Sequence, residues 1–430
     1  MNQTLRHPLR ALLLLALVAL TPAWASEYVP PPGAWAHQPA AELGFDPQVL
    51  AAALAYAQSK AVVVPSDMHQ VLLDAYVARE PNYRVLGPIR DRVGSAGLVI
   101  RHGFIAARWG DIERSDMTFS AVKSYLSTLV GIAIADGRIK DVHDLVSHYV
   151  TDGQFSDPHN GAITWHHLLQ QTSDWQGSLF DTPDWADRPE GATPADWPQR
   201  PLSAPGSRFK YNDVRVNLLA YALLHVFKQP LPEVLQQRIM GPIGASRSWQ
   251  WRGYRNSMVL LDGTPVESVS GGGHFGGGLF ISTLDHARYG LLMLRNGRWG
   301  SRQLLAADWL SQATAASTGN PEYGYLWWLN THRKAIPTAP ESAFWAAGFG
   351  GHYVYVDPAN DLVLVLRWVP DLAGVVTRVL SALSAQSATP IAGMKPANGY
   401  SANNPHKWHS GSDTPETHET VHFQRTALNQ

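Results

Sequence analysis

The 430-residue chain contains no cysteine. Disulfides, thiolate metal centres, a thiol nucleophile and a cysteine-linked lipid anchor are therefore excluded, and packing alone must hold the fold. Charge is scarce as well: Asp, Glu, Lys and Arg make up 16% of the residues, against about 25% in an average globular protein. Neither sign dominates, with 34 Lys and Arg against 35 Asp and Glu and a formal net charge of −1. A polyanion binder needs a basic excess or a basic stripe, so nucleic acid is not an expected partner. Apolar runs of the roughly 18 residues needed to span a bilayer are missing. The nearest approach is residues 11–20, set between Arg6 and Arg10 on one side and Ala23-Trp24-Ala25 on the other. That order is expected of a secretory signal peptide cut after Ala25. It places the mature chain in the periplasm or outside the cell, with no stable insertion in the membrane.

What the chain does have is periodicity. Apolar residues recur at helical spacing over 46–60, 119–135, 163–171, 214–227, 231–240, 282–294, 306–316 and 372–384. Ser282-Thr283-Leu284-Asp285 is a capping box at the start of one of these. Strand patterns occupy 343–347, 353–356 and 362–368, and a hairpin is predicted over 96–111, turning at His102-Gly103. Residues 173–205 form a long Pro-, Asp- and Trp-rich loop, and 388–430 a polar tail with little expected structure. Strands at both ends and helices between them predict an α/β (α+β) chain. Its early and late strands share one antiparallel sheet flanked by helices, with an all-helical region inserted. The expected division is leader 1–25, one globular domain over 26–387, and tail 388–430.

Three motif matches carry little weight. His418-Glu419-Thr420-Val421-His422 fits the H-E-x-x-H zinc pattern, but it lies in the polar tail, where no buried helix is expected. Gly271-Gly272-Gly273-His274-Phe275-Gly276 fits G-x-G-x-x-G without the βαβ unit a dinucleotide requires, so a close-packed or cleft-lining turn is expected instead. No metal and no cofactor is expected. Ser207 and Lys210 fit S-x-x-K, but they follow Pro205-Gly206 into an extended segment, where the two side chains point to opposite faces.

The same spacing at Ser120 and Lys123 has a different meaning. These residues open an apolar helix, so positions i and i+3 share a face and the amine can reach the hydroxyl. The helix N-terminus supplies unpaired N–H groups and a dipole that favours developing negative charge. The apolar neighbours Phe119, Leu126 and Leu129 favour a neutral amine, the form that acts as a base.

About 90 residues on stands Tyr211-Asn212-Asp213, at the head of another predicted helix, and later comes Phe349-Gly350-Gly351-His352 beside a strand. With the stretches His167 to Trp175, Gly276 to Ser282 and Gly350 to Pro358, this order resembles the serine β-lactamase and penicillin-binding protein superfamily. The resemblance is to its class C-like branch of esterases, D-amino peptidases and 6-aminohexanoate-dimer hydrolases, and it runs over roughly 45–383. It implies a β-lactamase/transpeptidase-like fold in which Ser120 is acylated, Lys123 helps deprotonate it and Tyr211 shuttles protons. It also implies an oxyanion hole formed by the backbone N–H groups of Ser120 and His352. The substrate-binding candidates are Asp174, Trp175, Asp213, Phe349, Gly350, Gly351 and His352.

Two positions depart from the family pattern. Asp213 stands where an amide is usual, and Phe349 stands where a Lys or His usually binds a substrate carboxylate. Both point away from penicillins and D-Ala-D-Ala peptides and toward a neutral or amine-bearing ester or amide, with Asp213 available to a substrate ammonium. Trp175, Trp185 and Trp197 are expected to cover an apolar or sugar-like group. The competing expectation is a sensor or binding module that acylates without turning over. The oligomeric state is left open.

Overall fold

The structure is a computed structural model that describes residues 28–383. The expected leader, the tail from 388 and the H-E-x-x-H match lie outside the described residues.

Two antiparallel sheets carry the fold. Their strands are, in chain order, Ala96–Arg101 (β1), Phe104–Trp109 (β2), Asp116–Met117 (β3), Gln250–Leu261 (β4), Thr264–Val269 (β5), Gly278–Ile281 (β6), Trp328–Leu329 (β7), Phe344–Gly348 (β8), His352–Asp357 (β9) and Leu362–Arg367 (β10). The large sheet has the order β7-β8-β9-β10-β1-β2, so the early hairpin joins the late strands edge to edge as predicted. The joint is the β1–β10 ladder, from Ala96 opposite Arg367 to Arg101 opposite Leu362.

Period-two alternation sends side chains to both faces of this sheet. Leu98, Ile100, Val354, Val356, Val363 and Val365 enter the main core. Val99, Tyr353, Tyr355, Leu362, Leu364 and Leu366 face the other way, into a second core. Helices Pro47–Ser59 (α1) and Leu372–Ser381 (α6) cover that second face. Asp46 caps α1 by accepting the N–H groups of Gln48 and Val49. Each fully buried aliphatic side chain contributes about 1.5–3 kcal/mol, so a strand buried on both faces anchors the sheet firmly.

The remaining labelled helices are Met68–Tyr76 (α2), Lys123–Ala135 (α3), Asp213–Phe227 (α4) and Thr283–Leu294 (α5). Helix α3 is apolar nearly all round and buried from Lys123 to Ala133, which makes it the central helix of the main core. Asn212 and Ser282 cap α4 and α5 through the N–H groups of Arg215 and Asp285.

The middle of the chain is less purely helical than its periodicity predicts. Residues 250–281 hold three strands of a second sheet, ordered β3-β6-β4-β5. Its β4–β5 hairpin turns at Asp262 and Gly263, both at positive φ (49° and 83°). That sheet matters for the site because β3 runs directly into residue 119. Arg367, at the end of β10, donates to the carbonyls of Ile281 and Met117, and the Trp368 indole donates to Asp116 at 2.6 Å. The large sheet thus ties down the segment that delivers Ser120.

Candidate active site

Phe119–Val122 is a single tight helical turn leading into α3, and Phe119 enters it at φ +47°. A bulky residue in the left-handed region carries strain of about 1–3 kcal/mol. That strain turns the chain sharply enough to set Ser120 at the helix start. The i, i+3 geometry then does what the spacing predicts: Lys123 Nζ lies 2.6 Å from Ser120 Oγ. Both side chains are nearly inaccessible, Ser120 at 5% and Lys123 at 2% exposure.

The amine is not left in an apolar setting, as the neighbouring sequence leads one to expect. Asp213, itself 1% exposed, reaches it from the first turn of α4 with Oδ1 2.9 Å from Nζ. Burial alone would raise the Asp213 carboxyl, but Lys123, His274 and Arg188 outweigh burial and hold it below the usual range. Asp213 is therefore the counter-ion of Lys123. Its expected role as a docking point for a substrate ammonium is corrected: the protein's own cations already occupy it.

Tyr211 completes the group. Its ring stands with Lys123 Nζ 4.5 Å and the Arg188 guanidinium 4.9 Å from the centroid, and it stacks on Trp328 at 6.1 Å. Asn212 fixes this place. Its N–H donates to Gln171, and its side-chain amide caps α4 and donates to the carbonyls of Asp184 and Asp187. The amide next to the tyrosine thus serves the backbone here.

The strand-edge residues separate. Gly348, at the end of β8, abuts the Ser120 turn; a Cβ built there would lie 2.1 Å from the Thr118 carbonyl oxygen and 3.1 Å from the Ala121 nitrogen. Phe349 packs edge-on against Phe119 at 5.3 Å and is buried. Gly350 and Gly351 form the turn and press against Trp368 and Val369. The His352 ring sits 4.3 Å from Trp368 and 5.8 Å from Phe119, buried, and desolvation, Arg367 and His286 push its pKa well down. It is a neutral core histidine, so its side chain does not bind substrate, and the strand end nearest Ser120 is Gly348.

Asp174 and Trp175 are likewise corrected. Trp175 is fully buried and donates its indole N–H to the Gln154 carbonyl. Asp174 is paired with Arg200 at 2.8 Å and Arg215 at 2.7 Å, and Arg200 bonds Asp184 at 2.7 Å. This buried network pins the 173–205 loop to α4. Asp174→Ala leaves two buried guanidiniums sharing Asp184 as their remaining carboxylate, and breaking such a network costs about 3–5 kcal/mol. Chemical denaturation is expected to show that loss, while Ser120 reactivity per folded molecule stays within roughly two-fold. Of the three loop indoles, only Trp185 and Trp197 keep partial exposure, with rings 6.2 Å apart. The second S-x-x-K pair is structural. Ser207 Oγ caps the Ala204 carbonyl, and Lys210 pairs with Glu190 at 3.5 Å.

Sequence reasoning missed four charged residues behind the site. Asp187 accepts the backbone N–H of Asp213 and pairs with Arg188, which also reaches Asp213 at 3.5 Å. His274 Nε2 bonds Glu80 at 2.6 Å and lies 3.6 Å from Asp187. Glu80, Asp187 and His274 bring ligand atoms within 4.8 Å of one another, a spacing a metal ion would accept. The arrangement is instead that of an ion network, since Arg188 occupies Asp187 and His274 shares its Nε2 proton with Glu80. The one legible signal was the glycine run 271–278. Gly272 lies against the Lys123–Asp213 pair, with a Cβ there falling 1.5 Å from Asp213 Oδ1.

Comparison with known proteins supplies the family. The sequence model of the β-lactamase family matches residues 113–368, more than half of the chain. Two Escherichia coli proteins described as candidate D-alanyl-D-alanine carboxypeptidases are 26% identical over 195 residues. That match covers 38% of this chain and 45% of theirs, so the chain spans about half the length of the curated relatives it matches. Among solved structures, EstCE1, a hydrolase with promiscuous acyltransferase activity, superposes with a TM-score of 0.50 at 17% identity, over 78% of this chain and 98% of its own. A candidate β-lactamase from Bacteroides dorei gives 0.50 at 15% identity, over 73% and 98%. The fold is the β-lactamase/transpeptidase one, and with the family match spanning everything from the strand before Ser120 to Trp368, this chain belongs to the β-lactamase family of serine hydrolase-fold proteins.

Proposed function

We propose that the protein is an exported serine hydrolase that forms a transient acyl-enzyme at Ser120 and hydrolyses a neutral ester or amide. The observation that carries this reading is the buried amine of Lys123, held 2.6 Å from Ser120 Oγ by a carboxylate on its far side. The Ser120 proton leaves to the Tyr211 phenolate oxygen, with the Lys123 ammonium beside it, as Oγ attacks the substrate carbonyl. The oxyanion is met by backbone N–H groups of the Ser120 turn and the strand end at Gly348. Collapse of the tetrahedral species breaks the bond to the leaving group, which takes the proton back. Water then repeats the sequence to free the acid.

The strand end that abuts the Ser120 turn is Gly348, which has no side chain and so supplies no cation for a substrate carboxylate, and this argues against penicillins. Asp213, neutralised by Lys123, withdraws the support for an amine-bearing substrate. A neutral acyl group fits what remains.

The test is a fluorophosphonate probe together with a panel of short p-nitrophenyl esters, linear amides and a chromogenic cephalosporin. Stoichiometric labelling with multiple turnover of esters supports the reading, and Ser120→Ala is expected to remove labelling and lower turnover by about a thousand-fold or more. Labelling without turnover favours a sensor instead. Export is tested by sequencing the N-terminus of secreted material, which should begin at Ser26.

A further inference from the structure

Behind Lys123 lies a closed set of charges: Lys123, Arg188 and His274 against Glu80, Asp187 and Asp213. All but Arg188 are buried. The chain that links them is continuous. Glu80 holds His274 Nε2; His274 faces Asp187; Asp187 accepts the N–H of Asp213; Asp213 holds Lys123; and Lys123 holds Ser120. Ser120 and His274 are 154 positions apart, yet they stand at the two ends of one network. Nothing in the general chemistry of a Ser-x-x-Lys pair requires the histidine.

We propose that His274 is a positioning residue for the hydrolase site: its ring, clamped by Glu80 and Asp187, fixes the first turn of α4 and through Asp213 sets the place of Lys123. The proposal rests on the reading of Ser120 and Lys123 as the reacting pair.

The surroundings suit a cation. Tyr76, Phe275 and Tyr83 stand around the ring with centroids 4.2, 4.6 and 5.4 Å away. Aromatic faces favour a desolvated cation. The charged and titratable groups facing the ring or its partners come from every element packed there. Tyr76 is on α2, and Glu80 and Tyr83 follow it. Asp187 and Arg188 come from the loop, Asp213 from α4, Lys123 from α3 and Tyr254 from β4. His274 Nδ1 has no hydrogen-bond partner among the described residues, so the carboxylates on the Nε2 side decide where the ring sits. Removal of that one proton leaves three carboxylates against two cations in a buried space, a strongly unfavourable sum.

Burial would lower the His274 pKa, but Glu80, Asp187 and Asp213 outweigh it and raise it to about 9. A histidine raised above its ordinary 6.5 stabilises the fold fully below 6.5, and that contribution is lost as pH rises through about 9. The same window should therefore limit both stability and reactivity.

The experiment measures the rate of fluorophosphonate labelling at Ser120 and the melting temperature, from pH 6 to 10, for the full chain and for His274→Gln and Glu80→Gln. In the wild type both readouts should fall as pH passes about 9. His274→Gln should label about ten-fold more slowly at pH 7 and lose the step. Glu80→Gln keeps the ring but removes its nearest carboxylate, so it should move the step to lower pH, which a merely space-filling histidine would not do. Labelling of His274→Gln at the wild-type rate with the step intact overturns the proposal, as does an unmoved step in Glu80→Gln. A wild type that never labels at Ser120 overturns the hydrolase reading instead. The melting profiles then decide alone: a wild-type decline near pH 9 that His274→Gln abolishes supports the network, and a flat wild-type profile overturns it.

Discussion

Lys123→Met is expected to reduce Ser120 labelling and ester turnover by at least about a thousand-fold and to destabilise the fold by about 3–5 kcal/mol at pH 7. The two losses have separate causes. Reactivity falls because methionine places no charge beside Tyr211 and donates no hydrogen bond to Ser120 Oγ. Stability falls because Asp213, fully buried, loses the cation 2.9 Å away and keeps Arg188 at 3.5 Å and the influence of His274. The separation can be measured. In the wild type Asp213 is held below the usual carboxylate range, so its contribution is present above the unfolded carboxyl value and is lost as pH falls through the folded one. With Lys123 gone, burial is the dominant influence and drives the carboxyl up, and the group then folds more readily protonated. The deficit of Lys123→Met should accordingly shrink as pH drops from 7 toward 4. The double variant Lys123→Met, Asp213→Asn, which buries no charge at this point, should recover most of the stability and none of the activity. A Lys123→Met chain as stable as the wild type at pH 7 would show that the ion pair contributes nothing net to the fold.

The reacting pair was legible because its chemistry is local. Three residues along a helix is one turn, so Ser120 and Lys123 had to share a face once residues 119–135 read as helix. Tyr211 and Asp213 were legible as a motif, but their partners were not. Nothing near Asp213 in the sequence says that Lys123 neutralises it, and nothing near Asp174 announces Arg200 and Arg215. A carboxylate without a visible partner reads as available for substrate, and in the sequence both Asp174 and Asp213 read that way.

Glu80, Asp187, Arg188 and His274 come from three separate segments and meet only through tertiary packing, a juxtaposition that periodicity does not encode. The second sheet was missed for another reason. The β4–β5 ladder shifts register between Gly253 and Met258, and that irregularity breaks the alternation by which a strand is recognised. The Asp262-Gly263 turn remained as the visible sign of a hairpin. The large sheet had no such interruption in its late strands, and there the pattern and the structure agree almost residue for residue.

Gly272→Ala is expected to lower Ser120 reactivity by about a hundred-fold or more, although alanine adds one methyl group and no charge. The added Cβ would fall 1.5 Å from Asp213 Oδ1 and 2.6 Å from Lys123 Nζ. Neither atom can yield without cost. Asp213 is held at its backbone by Asp187 and at its carboxylate by Lys123 and Arg188, and Lys123 is held by Asp213 and Ser120. The groups must part by more than about an ångström, and a displacement of that size at reacting atoms is worth about a hundred-fold in rate. Position 272 has no positive φ to complicate the comparison, so the methyl group alone is tested. Gly94→Ala is the matched control, because a Cβ there meets nothing within 4 Å; it should leave rate and stability unchanged. The variant also separates the ion pair from the glycine run as a whole. If Gly272→Ala keeps the wild-type labelling rate, the Lys123–Asp213 contact is not needed for reactivity. If it loses rate while its melting temperature falls only a few degrees, the defect lies in where the amine stands rather than in whether the chain folds.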